Sequence, residues 1–209
     1  MSETARAALL ILGSYLLGSI PFGFVLPRIF RKEDIRTVGS GNVGATNVFR
    51  VYGRWLGVPV ALLDVLKGFT PALAGLLVGS DWLAVAAGSA AMLGHARPIW
   101  LRFSKGGKMV ATAGGVSLAL APFAGLVCAA IWLGVFLLTK YASVASLAAS
   151  LALPLVAFAF GASWPIVGFM TAAFVAVATL HRQNMGRLLA GNEPRFTRAP
   201  KSVAGRPVP

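Results

Sequence analysis

The chain has 209 residues, 57% hydrophobic and 12% charged, with a mean hydropathy of +0.77. That balance excludes an ordinary water-soluble domain, which carries about a quarter charged residues and could not bury the long apolar runs found here. The net charge of +13 would point to nucleic acid in a soluble protein, but here the basic residues stand between apolar runs, so membrane topology and attraction to anionic lipid account for them and no nucleic-acid partner is expected.

In chain order the apolar runs cover about 7–27, 55–79, 82–101, 109–139, 142–160 and 163–180. About 20 residues cross the hydrocarbon core of a bilayer. The first run is too long for a signal peptide and lacks a small-x-small cleavage site, so it reads as a retained span. The run 109–139 has 31 residues, too many for one crossing and few for two. Charge decides between them. Segments 28–54 and 102–108, Lys140 and the stretch after 180 hold 16 of the 19 Lys and Arg residues. Two crossings, turning near Pro122, put all of these on the cytoplasmic side; a single crossing sends Lys140 and the basic C-terminal stretch outside. The expectation is an all-α integral membrane protein of seven transmembrane helices, two of them short central ones, with the N-terminus outside and the C-terminus cytoplasmic. Residues 1–195 form one membrane domain, and 196–209, rich in proline and basic residues, form a flexible cytoplasmic tail. No internal repeat is evident. Cys128 is the single cysteine and there are two histidines. No disulfide, zinc cluster or other metal centre is therefore expected, and no cofactor.

Three polar stretches fall on the cytoplasmic side. The first, Gly39-Ser-Gly-Asn-Val-Gly-Ala-Thr-Asn-Val-Phe-Arg50, interleaves glycines with donors. Gly41 and Gly44 let backbone N–H groups turn toward an anion, Ser40, Asn42, Thr46 and Asn47 add hydrogen bonds, and Arg50 can fork onto phosphate or carboxylate. Its G-x-G-x-x-G spelling is no dinucleotide fingerprint, because no strand or βαβ unit surrounds it. The second ends in Lys105-Gly106-Gly107-Lys108 before an apolar helix starting near Val110, a ready anion site, though not a Walker A loop. The third runs from His181 to Arg195. His181 and Asn184 are three apart and share a helix face, and Arg187 and Glu193 follow. Inside a span, Asp64 and Lys67 are also three apart and are read as a structural ion pair. There is no G-x-S-x-G elbow, no H-E-x-x-H and no His-x4-Asp dyad. A transporter of organic anions would also use seven helices and a cationic face, but its polar groups belong near the midplane rather than on one side.

Together these pieces resemble the bacterial integral membrane acyl-phosphate:glycerol-3-phosphate acyltransferases of phospholipid synthesis. The resemblance rests on Gly18-Ser-Ile-Pro-Phe-Gly23, on Gly39 to Asn47 with Arg50, on Leu63-Asp-Val-Leu-Lys-Gly68, on Gly94-His95, Pro98, Phe103 and Gly106-Gly-Lys108, and on His181-Arg-x-Asn184 with Arg187, Gly191 and Glu193. These run in family order from about 13 to 196. One departure stands out: the family's second loop usually reads Gly-Gly-Lys-Gly, and Met109 replaces its last glycine. The resemblance implies acyl phosphate and glycerol 3-phosphate as substrates, the 1-hydroxyl as acceptor, and lysophosphatidic acid and phosphate as products. The site would face the cytoplasm, in the plasma membrane of a bacterium. It implies a catalytic set of Ser40, Arg50, Lys108, His181 and Asn184. Phosphate binding falls to Gly41, Asn42, Gly44, Thr46, Asn47, Lys105, Gly106 and Gly107, and structural support to Asp64, Lys67 and Glu193. Proton removal would fall to the departing phosphate, with His181 as the side-chain alternative; the expected part of His181 is positioning, by donating a hydrogen bond from its neutral ring. The oligomeric state stays open and is compatible with a monomer.

Overall fold

The computed structural model describes residues 1–196. Among these, ten α-helices and two short 3-10 turns carry the regular structure, with no strand: α1 Glu3–Gly18, α2 Phe22–Arg31, α3 Ala45–Tyr52, α4 Arg54–Val78, α5 Asp81–Ala96, α6 Val110–Leu120, α7 Pro122–Thr139, α8 Ala142–Ala159, α9 Trp164–Leu180 and α10 Arg182–Leu189. By length and composition α4, α7 and α8 are each long and apolar enough to cross a membrane. Two bent pairs, α1 with α2 at 42° and α9 with α10 at 56°, raise the number of candidate spans to five. The tail expected at 196–209 lies outside the described residues except for Phe196.

The run 7–27, expected as one span, is broken. Pro21 has no N–H and disfavours helix at Ile20, so α1 stops at Gly18 and α2 starts again after the proline. The carbonyl freed at Ile20 accepts from Lys67 Nζ at 2.9 Å. The run 109–139 also divides, with Pro122 at the first turn of α7, where a missing N–H costs nothing. Its halves are unequal. α6 has 11 residues and is short; α7 has 18 and is of full length, so the expected pair of short helices is corrected to one. The reason lies in the preceding loop. Gly106, Gly107 and Met109 are buried, so α6 starts from a loop already sunk into the bundle.

Small residues set the helix crossings. A Cβ on Gly68 would clash with the Thr112 carbonyl, and one on Gly115 with that of Val65, so α4 and α6 meet backbone to backbone. The core runs through α4–α9, with Val116, Met170 and Val177 among its least exposed members, and a smaller cluster of Ile35, Val43, Val48, Leu56 and Val60 seats the first polar loop on α4. At the opposite end of the bundle, Ser163 donates to Asp81 and ties the α8–α9 turn to the start of α5.

Candidate active site

The three polar stretches converge on one end of the bundle. They surround a cavity of about 590 Å³ that runs from Ser40, Arg50, Lys108 and Glu193 down to Leu118, Gly125 and Leu153 between α6, α7 and α8. A second hollow of about 290 Å³ opens beside it, lined by Arg36, Gly41, Lys105, Gly106 and Gln183, and shares Ser40, Asn42, Lys108 and Arg187 with the first. The site is thus a donor-rich mouth above an apolar slot.

The first loop is built around Asn47. Its Oδ1 accepts from Ser40 N at 2.8 Å, and its Nδ2 donates to the carbonyls of Val38 at 3.1 Å and Asn42 at 3.0 Å. Asn42 Oδ1 in turn accepts from Gly44 N at 2.7 Å. Asn47 borders the cavity, but its amide is engaged by the loop itself. Gly39 and Gly41 hold φ of +60° and +68°, the left-handed conformation that needs glycine. The loop ends on the N-terminus of α3, with Gly44 as cap and Thr46 and Arg50 facing the cavity. Arg50 Nε is buried without a hydrogen-bond partner among the described residues. Burial pushes the pKa of Arg50 down and Glu193 pushes it back up.

The second loop is stitched to the end of α5: Gly106 N donates to Ala96 O at 3.0 Å and Gly107 N to His95 O at 3.1 Å. These two N–H groups, expected to face an anion, are spent on the bundle, and the loop offers its lysines instead. Gly107 lies outside both hollows. A Cβ on it would clash with the His95 ring. Met109 holds φ +67° as the cap of α6, so the position where glycine was expected does take the left-handed backbone.

From Lys108 a chain of hydrogen bonds crosses to the third stretch. Lys108 Nζ donates to Asn184 Oδ1. Asn184 Nδ2 donates to Glu193 Oε1 at 2.6 Å, Ser143 Oγ to the same oxygen at 2.8 Å, and Arg187 Nε to Oε2 at 2.8 Å. Burial raises the Glu193 pKa, but these bonds and the Arg187 charge outweigh it and hold the carboxyl below its ordinary value. Burial pushes Lys108 down to about 8, with Arg187, Lys105 and Arg50 adding to the shift and Glu193 opposing it. His181 sits at the junction of α9 and α10 with Nδ1 2.8 Å from Val177 O. A carbonyl only accepts, so Nδ1 carries the proton and Nε2 is left as an acceptor. The neutral ring therefore cannot donate to substrate as expected; it can accept from a hydroxyl.

Asp64 and Lys67 pair at 2.8 Å, both nearly fully buried, and His95 Nδ1 lies 3.6 Å from the same Asp64 oxygen. Asp64 and His95 border the cavity; Lys67 does not. The sequence reading gave no role to His95, which approaches Asp64 of α4 from the neighbouring helix α5, and it missed the serines of α8. Ser143, Ser146 and Ser150 line the cavity. Their i, i+3, i+7 spacing in an apolar helix is a one-face polar stripe that could have been read. Ser146 also accepts from Trp132 Nε1 at 3.1 Å.

Residues 8–191 match the model of a family described as glycerol-3-phosphate acyltransferase. A glycerol-3-phosphate acyltransferase of Synechococcus sp. (strain JA-3-3Ab) is 44% identical, over 94% of this chain and 96% of its own. That of Aquifex aeolicus (strain VF5) is 46% identical, over 91% of this chain and 100% of its own. A crystal structure of PlsY (YgiH), an integral membrane glycerol 3-phosphate acyltransferase in its glycerol 3-phosphate form, superposes with a TM-score of 0.88 at 42% identity, covering 92% of this chain and 96% of that one.

Proposed function

Because the chain belongs to the glycerol-3-phosphate acyltransferase family and is an acyltransferase, we propose that it moves a fatty acyl group from acyl phosphate to the 1-hydroxyl of sn-glycerol 3-phosphate. The products are lysophosphatidic acid and inorganic phosphate. The observation that carries this reading is the single cavity with a cationic, hydrogen-bonding end at Arg50, Lys108 and His181 and an apolar slot lined by Leu118, Gly125 and Leu153. One end suits phosphates and the other a fatty chain, so both substrates meet at the boundary.

Acyl phosphate is a mixed anhydride and needs no covalent enzyme intermediate. The glycerol hydroxyl attacks the carbonyl carbon, the C–O bond to phosphate breaks, and the departing phosphate takes the hydroxyl proton. Arg50 and Lys108 hold phosphate charge, Ser40 and Thr46 at the start of α3 donate to the developing oxyanion, and Lys105 and Arg36 at the smaller hollow draw in the water-soluble substrate. Asn184 aligns Lys108, Glu193 holds Asn184 in place, and His181 Nε2 accepts from the neighbouring 2-hydroxyl of glycerol 3-phosphate, leaving the proton of the attacking 1-hydroxyl for the phosphate. Asp64 and Lys67 support the bundle.

The membrane arrangement belongs to the same proposal. α1, α4, α5, α6, α7, α8 and α9 are the seven crossings, with the N-terminus outside and the C-terminus and the site on the cytoplasmic face of a bacterial plasma membrane. Residues 1–195 form one membrane domain, and the chain acts as a monomer. The test is purified protein given acyl phosphate and glycerol 3-phosphate, with phosphate release followed and acyl-CoA supplied in a parallel reaction. Turnover with acyl phosphate and little with acyl-CoA is expected; equal turnover with acyl-CoA would refute the donor.

A further inference from the structure

Phe196 lies beyond residues 8–191 matched by the family model, yet it is held from several directions. Its backbone N–H donates to Lys140 O at 2.8 Å. Its ring packs between Phe49 of α3 and Phe136 of α7, with centroids 5.3 Å from each and interplanar angles of 59° and 71°. Just before it, Pro194 borders the cavity, and the Arg195 guanidinium lies 5.4 Å from the Tyr141 ring. α3 packs on α4 and α2, whereas α7 packs on α8 and α6, so Phe196 joins two walls of the cavity. The Arg50 guanidinium lies 5.9 Å from the Phe196 centroid, and its buried Nε has no hydrogen-bond partner among the described residues.

We propose that Phe196 is a positioning residue: its ring sets the plane of the Arg50 guanidinium at the polar end of the cavity, and its wedge between Phe49 and Phe136 holds the wall bearing Arg50 against the opposite wall. A guanidinium is planar, weakly hydrated and stacks on aromatic faces, so a ring can orient it without taking up the N–H donors a phosphate needs. A carboxylate partner would instead compete with substrate for those donors. The proposal rests on the reading of Arg50 as a phosphate-holding residue.

The experiment is a double-mutant cycle on the full chain, with kcat and KM measured for each substrate alongside the melting midpoint in detergent. Phe196→Leu keeps apolar bulk but removes the aromatic face. It should raise KM for glycerol 3-phosphate about three- to tenfold, from the strength of a cation–π contact, with KM for acyl phosphate and the melting midpoint near wild type. Phe196→Tyr should restore wild-type values. In an Arg50→Ala background, where turnover is low and binding is followed by calorimetry, Phe196→Leu should add no further loss. Wild-type kinetics for Phe196→Leu, or an equal loss with and without Arg50, would overturn the positioning role. Should Phe196→Leu fail to fold, Phe196→Met carries the same comparison. Wild-type kinetics for Arg50→Ala would instead remove the site reading beneath it, so the two failures are told apart.

Discussion

Burial pushes the Lys108 ammonium down to about 8, which makes it the site cation whose charge changes within reach of an assay. Phosphate binding needs the charged form. With kcat/KM for glycerol 3-phosphate, activity should therefore fall as pH rises through about 8, since that parameter reports the free enzyme. Bound phosphate favours the ammonium, so the limb in kcat should lie higher. Lys108→Arg should abolish both limbs, and a pH–rate profile in which the limb survives that substitution excludes Lys108 as its source. Stability runs the other way. The folded protein releases this proton near 8 and an unfolded lysine near 10.5, so the unfolded chain binds more protons in that window and Lys108 alone makes folding more favourable as pH rises through it. His181 leads to a different expectation. Its proton is committed to Val177 O, so it serves as an acceptor at Nε2. His181→Gln, which can place an amide oxygen near that point, should keep measurable turnover; His181→Ala should lose more, by about tenfold for one hydrogen bond. A limb near pH 6.5 that vanishes in His181→Gln, with turnover down about a hundredfold, would make His181 the base instead.

Among the elements, the Asp64–Lys67 pair joins three. Lys67 reaches the α1–α2 break through Ile20 O, Asp64 lies on α4, and His95 on α5 approaches Asp64. Lys67→Met leaves a buried carboxylate uncompensated, at a cost of about 3–5 kcal/mol, whereas Asp64→Leu with Lys67→Met removes both charges. Thermal unfolding in detergent should thus show the single variant well below the double; a double variant as unstable as the single would refute a purely paired role. Met109 sets two effects against each other. A left-handed non-glycine residue costs about 1–2 kcal/mol, while truncating a buried methionine costs about 2–5 kcal/mol. Met109 is only 6% exposed, so Met109→Gly should lower the melting midpoint; a rise would show that backbone strain dominates. The glycine expected from the resemblance flagged the backbone at this position. The Asp64–Lys67 contact was legible too, because i, i+3 spacing within one helix fixes it. The approach of His95 was not, since it depends on how α5 crosses α4, nor was the loss of the Gly106 and Gly107 N–H groups to α5. Spacing reports one helix face; it does not say which loop another helix end will take.

For the whole molecule, the apolar runs and the proline at 122 made most helix ends readable, because membrane helices are bounded by charge, glycine and proline. The break at Ser19–Pro21 carries the same signal in Pro21, but apolar residues continue on both sides of it, so hydropathy alone runs α1 and α2 together. Topology remains the largest expectation to test, and it turns on α6. Its 11 residues span about 16 Å, well short of a core about 30 Å thick. α7, with 18 residues, spans about 27 Å. A pair so unequal can go down and back only if α6 starts below the membrane surface, and the buried Gly106, Gly107 and Met109 put its start there. The turn at Ala121–Pro122 then emerges on the outer face. Phe123, beside it, is 69% exposed, so it offers a probe. In a Cys128→Ser background, Phe123→Cys should react with a membrane-impermeant thiol reagent from outside intact cells, while a C-terminal tag should be reached only after the membrane is opened. Labelling of Phe123→Cys only from the cytoplasmic side, or an outward-facing C-terminal tag, would exclude the paired crossing of α6 and α7. It would also move Lys140 and the basic stretch after residue 180 to the wrong face for a cytoplasmic phosphate site.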